Sequence, residues 1–173
     1  MAERIRGFER VSFQQLKKDF RFEASSFTPE KYKRFCEKLI IPRRGSKLSA
    51  GYDICTPNAF ELKPGEEVLF PTGLKTYMLP DENLSIHPRS GSGFNFYIRL
   101  ANTTGIIDSD YYNNPKNEGH MWVKIRNESK DALFSAKPGD AVCQGIFRKY
   151  LLADGDSFET GGDRNGGIGS TNK

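Results

Sequence analysis

The chain has little of what builds a metal centre or a disulfide scaffold. Its 173 residues include three cysteines and two histidines. Cys36, Cys55 and Cys143 are odd in number and show no CxxC spacing, so reduced thiols in a cytoplasmic protein are expected. His87 and His120 lie far apart without metal spacing, and both are expected in surface or loop positions, not as ligands. No apolar run approaches the roughly 18–20 residues a spanning helix needs, so no membrane partner is expected. The first ten residues carry charges of both signs and no apolar stretch, so no signal peptide is expected either. No internal repeat of 20–50 residues is visible, which sets solenoids and propellers aside.

What is present describes one soluble globular domain, with 36% hydrophobic and 28% charged residues. The net charge of +4 is unevenly placed: the positive excess lies in the first forty-eight residues and the remainder is net negative. Those basic residues alternate with Phe and Leu at spacings that suit a packed helix. A solvated helix face is therefore expected, and a nucleic-acid partner is not.

Residues 1–39 read as a helical extension. Phe13, Leu16, Phe20 and Phe22 follow a loose helical spacing after Ser12, a possible N-cap. Ser26-Phe27-Thr28-Pro29-Glu30 marks a second start, with Thr28 as N-cap and Pro29 at the first helical position. Helices are expected over 12–20 and 28–39. From Ile40 the texture changes to short β-like runs at 67–70, 74–78, 96–100, 121–125 and 141–147. Turn signals such as Lys63-Pro64-Gly65-Glu66 and Lys137-Pro138-Gly139-Asp140 punctuate them. Many short strands with frequent turns imply a mainly β sandwich, jelly roll or barrel over 40–158. Residues 159–173, rich in Gly, Ser, Asp and Asn, are too poor in apolar side chains to fold alone.

Several segments carry groups with chemical potential. Asp53 stands between apolar residues in Ala50-Gly51-Tyr52-Asp53-Ile54, where a carboxylate satisfied by backbone N–H groups is an equal reading. Pro88-Arg89-Ser90-Gly91-Ser92-Gly93 is read as a strand giving way to a Ser/Gly turn, where N–H groups, Arg and Ser converge on an anion. Gly105-Ile106-Ile107-Asp108-Ser109-Asp110-Tyr111 sets two carboxylates and a phenol on rigid backbone. Pro138-Gly139-Asp140-Ala141-Val142-Cys143-Gln144 is a turn followed by a strand with one amide. The chain closes with Arg164-Asn165-Gly166-Gly167-Ile168-Gly169-Ser170-Thr171, a cation and a run of N–H groups suited to a triphosphate.

In combination, these five segments in order resemble the trimeric dUTPase family, the deoxyuridine triphosphate nucleotidohydrolases. The resemblance spans roughly Ser49 to Thr171. It implies a distorted jelly roll or β-clip barrel preceded by the short helical extension, cleavage of dUTP to dUMP and pyrophosphate, and Mg²⁺ as cofactor. It also implies a homotrimer with shared sites, each closed by one subunit's tail. By the same resemblance Asp108 activates water for attack at the α-phosphorus; Asp110, the segment's other carboxylate, is a rival base by its residue type and is expected to be structural. Tyr111 packs beneath the deoxyribose and excludes a 2′-hydroxyl. Asn102, Gly105 and Trp122 meet uracil, and Arg89, Ser90, Gly91 and Gln144 meet the phosphates. Arg164, Ile168, Gly169 and Ser170 close over the substrate, and Asp53 holds the metal through water.

The chain departs from the family pattern at three places. Ile168 replaces the usual Phe in a final segment one residue shorter, exchanging ring stacking for aliphatic cover. Asn113-Asn114-Pro115-Lys116-Asn117-Glu118 is an insertion in the uracil hairpin. Ala141 stands where Arg is common. The alternatives are a dCTP deaminase of the same fold, which lacks support from a recognisable deaminase glutamate segment, and a nucleotide-gated regulatory binding protein as a second role. The extension and the insertion would offer a surface for such a regulatory protein partner.

Overall fold

The computed structural model describes residues 3–22, 28–162 and 164–167. Ser26, Phe27 and residues 168–170 fall outside them. Strand β1 (Gly7–Arg10) leads into helix α1 (Phe13–Asp19). Ser12 caps α1 by accepting the Gln15 N–H, and Thr28 caps helix α2 (Pro29–Lys38) by accepting the Lys31 N–H. Pro29 opens α2, where its missing N–H costs nothing. Both helices stand close to where the sequence places them. Strand β1 was not anticipated: four residues are too few to show an alternation, and they extend because they pair antiparallel with β6 (Leu74–Tyr77), Gly7 opposite Tyr77.

The rest is antiparallel β structure. Strands β2 (Arg43–Arg44), β3 (Tyr52–Cys55), β12 (Ala141–Lys149), β7 (Glu82–Pro88) and β9 (Gly105–Asp108) form one sheet in that order. Strands β5 (Glu67–Pro71), β10 (Trp122–Asn127) and β8 (Ile98–Leu100) form a second, and β4 (Phe60–Leu62) pairs with β11 (Phe134–Ala136). Ile54, Leu84 and Val142 of the first sheet share one core with Phe70, Val123 and Ile125 of the second. This is a mainly β, distorted jelly roll. Both Pro-Gly-acidic turns close alike: Glu66 N–H donates to Lys63 C=O and Asp140 N–H to Lys137 C=O. Gly65 and Gly139 take the positive φ that the third turn position requires.

Two local expectations are corrected. Residues 90–93 do not make a simple turn but open a short helix, α3 (Ser90–Phe96). Tyr97 ends it in a left-handed conformation, its N–H shared by the Gly93 and Ser92 carbonyls. The run expected as strand 96–100 is therefore strand only from Ile98 onward. No helix among the described residues is long and apolar enough to cross a membrane.

The helical extension has its own small core, in which Val11, Leu16 and Leu39 are buried with Phe20, Tyr32 and Phe35 packed around them. Leu16 is fully enclosed. Truncating it, as Leu16→Ala, is expected to lower unfolding free energy by about 2–5 kcal/mol, read from chemical denaturation.

Candidate active site

Strand β7, between β12 and β9, sets the site's dimensions. On one side it pairs with β12, so His87 lies opposite Gln144, and Gln144 in turn lies opposite Asp53 of β3. Beyond the end of β7, the Arg89 guanidinium reaches back to Asp53, Nε to Oδ1 3.0 Å, and to the Ala141 carbonyl. Gln144 Nε2 donates to the Pro88 carbonyl at 3.2 Å. A β-bulge between Ala141 and Cys143 lies next to these contacts. Ser90 and Gly91 are exposed in the first turn of α3, where helical geometry leaves N–H groups without intrahelical partners. Arg89, Ser90, Gly91, Gln144 and Asp53 thus form one cluster.

On its other side β7 pairs with β9, Ile86 opposite Gly105 and Asn83 opposite Asp108. Asn102, Gly105 and Trp122 line a cleft of about 370 Å³ together with Leu69, Ile86 and Lys124. The three residues expected at uracil therefore share one concavity. Asp108 ends β9 and opens the 3₁₀ turn Ser109–Tyr111. Its carboxylate is about half exposed and paired with Arg164 Nη2, while Arg164 Nε binds Asp110 at 2.7 Å. The Arg164 guanidinium lies 5.9 Å from the Tyr111 ring centre. Ile168, Gly169 and Ser170 lie outside the described residues.

These groups form two ensembles, not one. Five residue steps along β7 take the chain from Asn83, beside Asp108, to Pro88, beside Arg89, roughly 17 Å at the strand rise of about 3.3–3.4 Å. Asp108 and Tyr111 stand at one end and Asp53, Arg89 and Gln144 at the other, with Gly105 of the cleft opposite Ile86 between them. Asp53 is a lone carboxylate, and no group of three or more His, Cys, Asp or Glu able to hold a metal occurs among the described residues. That donor set fits a cation held through its water shell, not an inner-sphere cage.

Sequence reasoning treated residues 113–118 as an insertion and missed what they do. Asn114, buried, donates to the Tyr111 carbonyl and to Asn117 Oδ1, and accepts the Lys116 and Asn117 N–H groups. Asn117 Nδ2 donates to the Tyr111 hydroxyl at 2.7 Å, and that hydroxyl donates to the His120 carbonyl at 3.0 Å. Burial pushes the Tyr111 phenol above its usual range, so it stays protonated and can donate. The only signal in the sequence was the density of Asn, a residue whose short amide bonds its own backbone.

A model of the dUTPase family matches residues 37–172. The chain belongs to the dUTPase family. It is 44% identical to the deoxyuridine 5′-triphosphate nucleotidohydrolase of Lactococcus lactis over 133 residues, 77% of this chain and 88% of that one. The enzyme of the same name from Sodalis glossinidius is 34% identical over 148 residues, 82% and 93% of the two chains. Among solved structures, the dUTPase of Streptococcus mutans superposes with a TM-score of 0.64 at 34% identity, covering 86% of this chain and 99% of its own. The dUTPase of phage phi11 of S. aureus, described with a structural Mg(II) ion, shares the fold at 18% identity and a TM-score of 0.57, over 72% and 92%. Within the dUTPase framework, the Asn-bound loop beside Tyr111 is built around Gly119. That residue has φ +79°, and a Cβ there would lie 2.5 Å from the Tyr111 carbonyl oxygen. Gly119→Ala should therefore cost at least about 1–3 kcal/mol in backbone strain, seen as a lower melting temperature.

Proposed function

We propose that the protein hydrolyses dUTP to dUMP and pyrophosphate. The observation that carries this reading is the single strand β9, which runs from the Asn102–Gly105–Trp122 cleft at one end to the Asp108 carboxylate at the other. A base held in that cleft by backbone and amide groups would be read by its polar edge. Such a site rejects analogues that leave its buried groups unpaired. Tyr111, fixed by Asn117 and the His120 carbonyl, would pack beneath the sugar and leave no room for a 2′-hydroxyl.

Asp108 would accept a proton from the attacking water. The water oxygen bonds to the α-phosphorus as the bond from that phosphorus to the bridging oxygen breaks, and pyrophosphate leaves. A positioned general base contributes roughly 10²–10⁴-fold; the rest of the acceleration comes from placement and charge neutralisation. Arg89, Ser90, Gly91 and Gln144 would bind the phosphates. Asp53 would hold Mg²⁺ through its waters, the ion supplying charge neutralisation along the phosphates when bound. Arg164, paired here with Asp108 and Asp110, would exchange those carboxylates for phosphate oxygens, freeing Asp108.

The roughly 17 Å separating the two ensembles supports a homotrimer, in which one subunit's Asp108 faces another's Arg89. Light scattering is expected to give three times the chain mass, and a monomer would sink the shared-site arrangement. Asp108→Asn should lower turnover by at least about two decades, with dUTP affinity within a few-fold by calorimetry. Loss of affinity without a separate loss of turnover would make Asp108 a structural residue.

A further inference from the structure

Both ends of α1 are tied to the loop that holds Tyr111. At its start, Glu118 accepts the Ser12 N–H at 3.0 Å and the Ser12 hydroxyl, and Lys75 closes on the same carboxylate at 3.4 Å. At its finish, Asp19 receives Nδ1–H of His120 and, at 2.6 Å, the Gln15 amide. His120 lies in a loop, one of the two positions expected for it, but is fully buried and not at the surface. Its Nε2 accepts the Gly73 N–H at 2.8 Å, so the ring is neutral with its proton on Nδ1.

That ring touches the site from behind. Its own carbonyl receives the Tyr111 hydroxyl. Phe20 stacks on one side with centroids 6.3 Å apart, and Trp122 lies on another at 5.8 Å. Lys18 of α1 also borders a second cleft, of about 300 Å³, with Tyr111, Asn117, Trp122 and Gly167. The extension therefore reaches the wall formed by Tyr111 and Trp122 both through the protein and at its surface.

We propose that α1 is a working part of the substrate site, and that Asp19, acting through the His120 ring, is a positioning residue that sets discrimination between deoxyribo- and ribonucleotides. The inference rests on the reading of Tyr111 as the group beneath the sugar. Asp19 orients the imidazole, the imidazole fixes the backbone at 120, and that carbonyl with Asn117 fixes the phenol. Releasing Asp19 lets the ring retreat and admits a 2′-hydroxyl.

The test compares the full-length wild type with Asp19→Ala, Asp19→Asn and Tyr111→Ala, using kcat/KM for dUTP and UTP and the emission of Trp122, the sole tryptophan. Asp19→Ala should narrow the dUTP:UTP ratio by about tenfold or more, the scale of a lost hydrogen bond to a charged group. The loss should fall mainly on KM, with a shifted Trp122 emission. Asp19→Asn, which still accepts from Nδ1–H, should restore most of the ratio. If Tyr111→Ala narrows the ratio while Asp19→Ala leaves it within about twofold of wild type, the inference is overturned and the role of Tyr111 stands. If Tyr111→Ala leaves the ratio unchanged, the reading of Tyr111 fails and the inference falls with it.

A pH series on the wild type needs no variant. Burial holds His120 below its ordinary 6.5 although Asp19 and Glu118 favour the charged form, and Lys75, Tyr32 and the Tyr111 hydroxyl also titrate near this junction. A released ring binds protons more readily than a docked one, so docking is fully favourable above pH 6.5 and weakens as pH falls below it. Protonation sets an Nε2–H against the Gly73 N–H. Trp122 emission and the dUTP:UTP ratio should fall together over that range; a ratio that stays constant while the emission titrates refutes the coupling.

Discussion

The hydrogen-bonded register of β7 with β12 on one side and β9 on the other is the constraint from which the site follows. It places His87, Gln144 and Asp53 in one row across three strands, Gly105 opposite Ile86, and Asp108 opposite Asn83. A slip of one residue would turn Leu84 and Ile86 out of the core and carry each polar group to the opposite face. The apolar alternation that buries the sheet therefore also aims the chemistry. It likewise holds the two ensembles a fixed distance apart.

A second constraint is the satisfaction of buried polar groups behind the cleft. Asn114 and His120 are buried, and each finds partners for its polar atoms. Leaving any one unmade costs about 1–3 kcal/mol, more for a charged group. Such a network tolerates few arrangements, which suits a wall that must hold an aromatic ring still. Its components come from segments remote in sequence: Ser12 and Asp19, Gly73, Tyr111, and residues 114–120. The contrast with His87 is informative, since its buried Nε2 has no partner among the described residues.

Much of the local structure was legible. Ser12, Thr28 and Pro29 marked the helix starts because capping is chemistry between neighbours, and the two Pro-Gly-acidic turns were readable for the same reason. The strands of β5, β6, β10 and β12 followed from short apolar runs. Residues 90–97 misled, because two glycines and three serines or asparagines favour a turn by propensity, whereas the shared Tyr97 N–H closes a helical end. Strand β1 was invisible because its only justification is its partner, β6.

The sequence by itself determined the family and singled out the candidate site residues. Five short motifs in order name Asp53, Arg89, Asp108, Gln144 and Arg164, and each motif is local enough to survive any change in surroundings. Only the tertiary structure decided where those groups stand. It gathered Asn102, Gly105 and Trp122 into one cleft, set Asp108 apart from Arg89, and paired Arg89 with Asp53 and Arg164 with Asp108. It also turned an apparent surface histidine into the buried link between the N-terminal helix and Tyr111. Strand register and long-range hydrogen bonds depend on partners scores of residues away, and no local pattern encodes them.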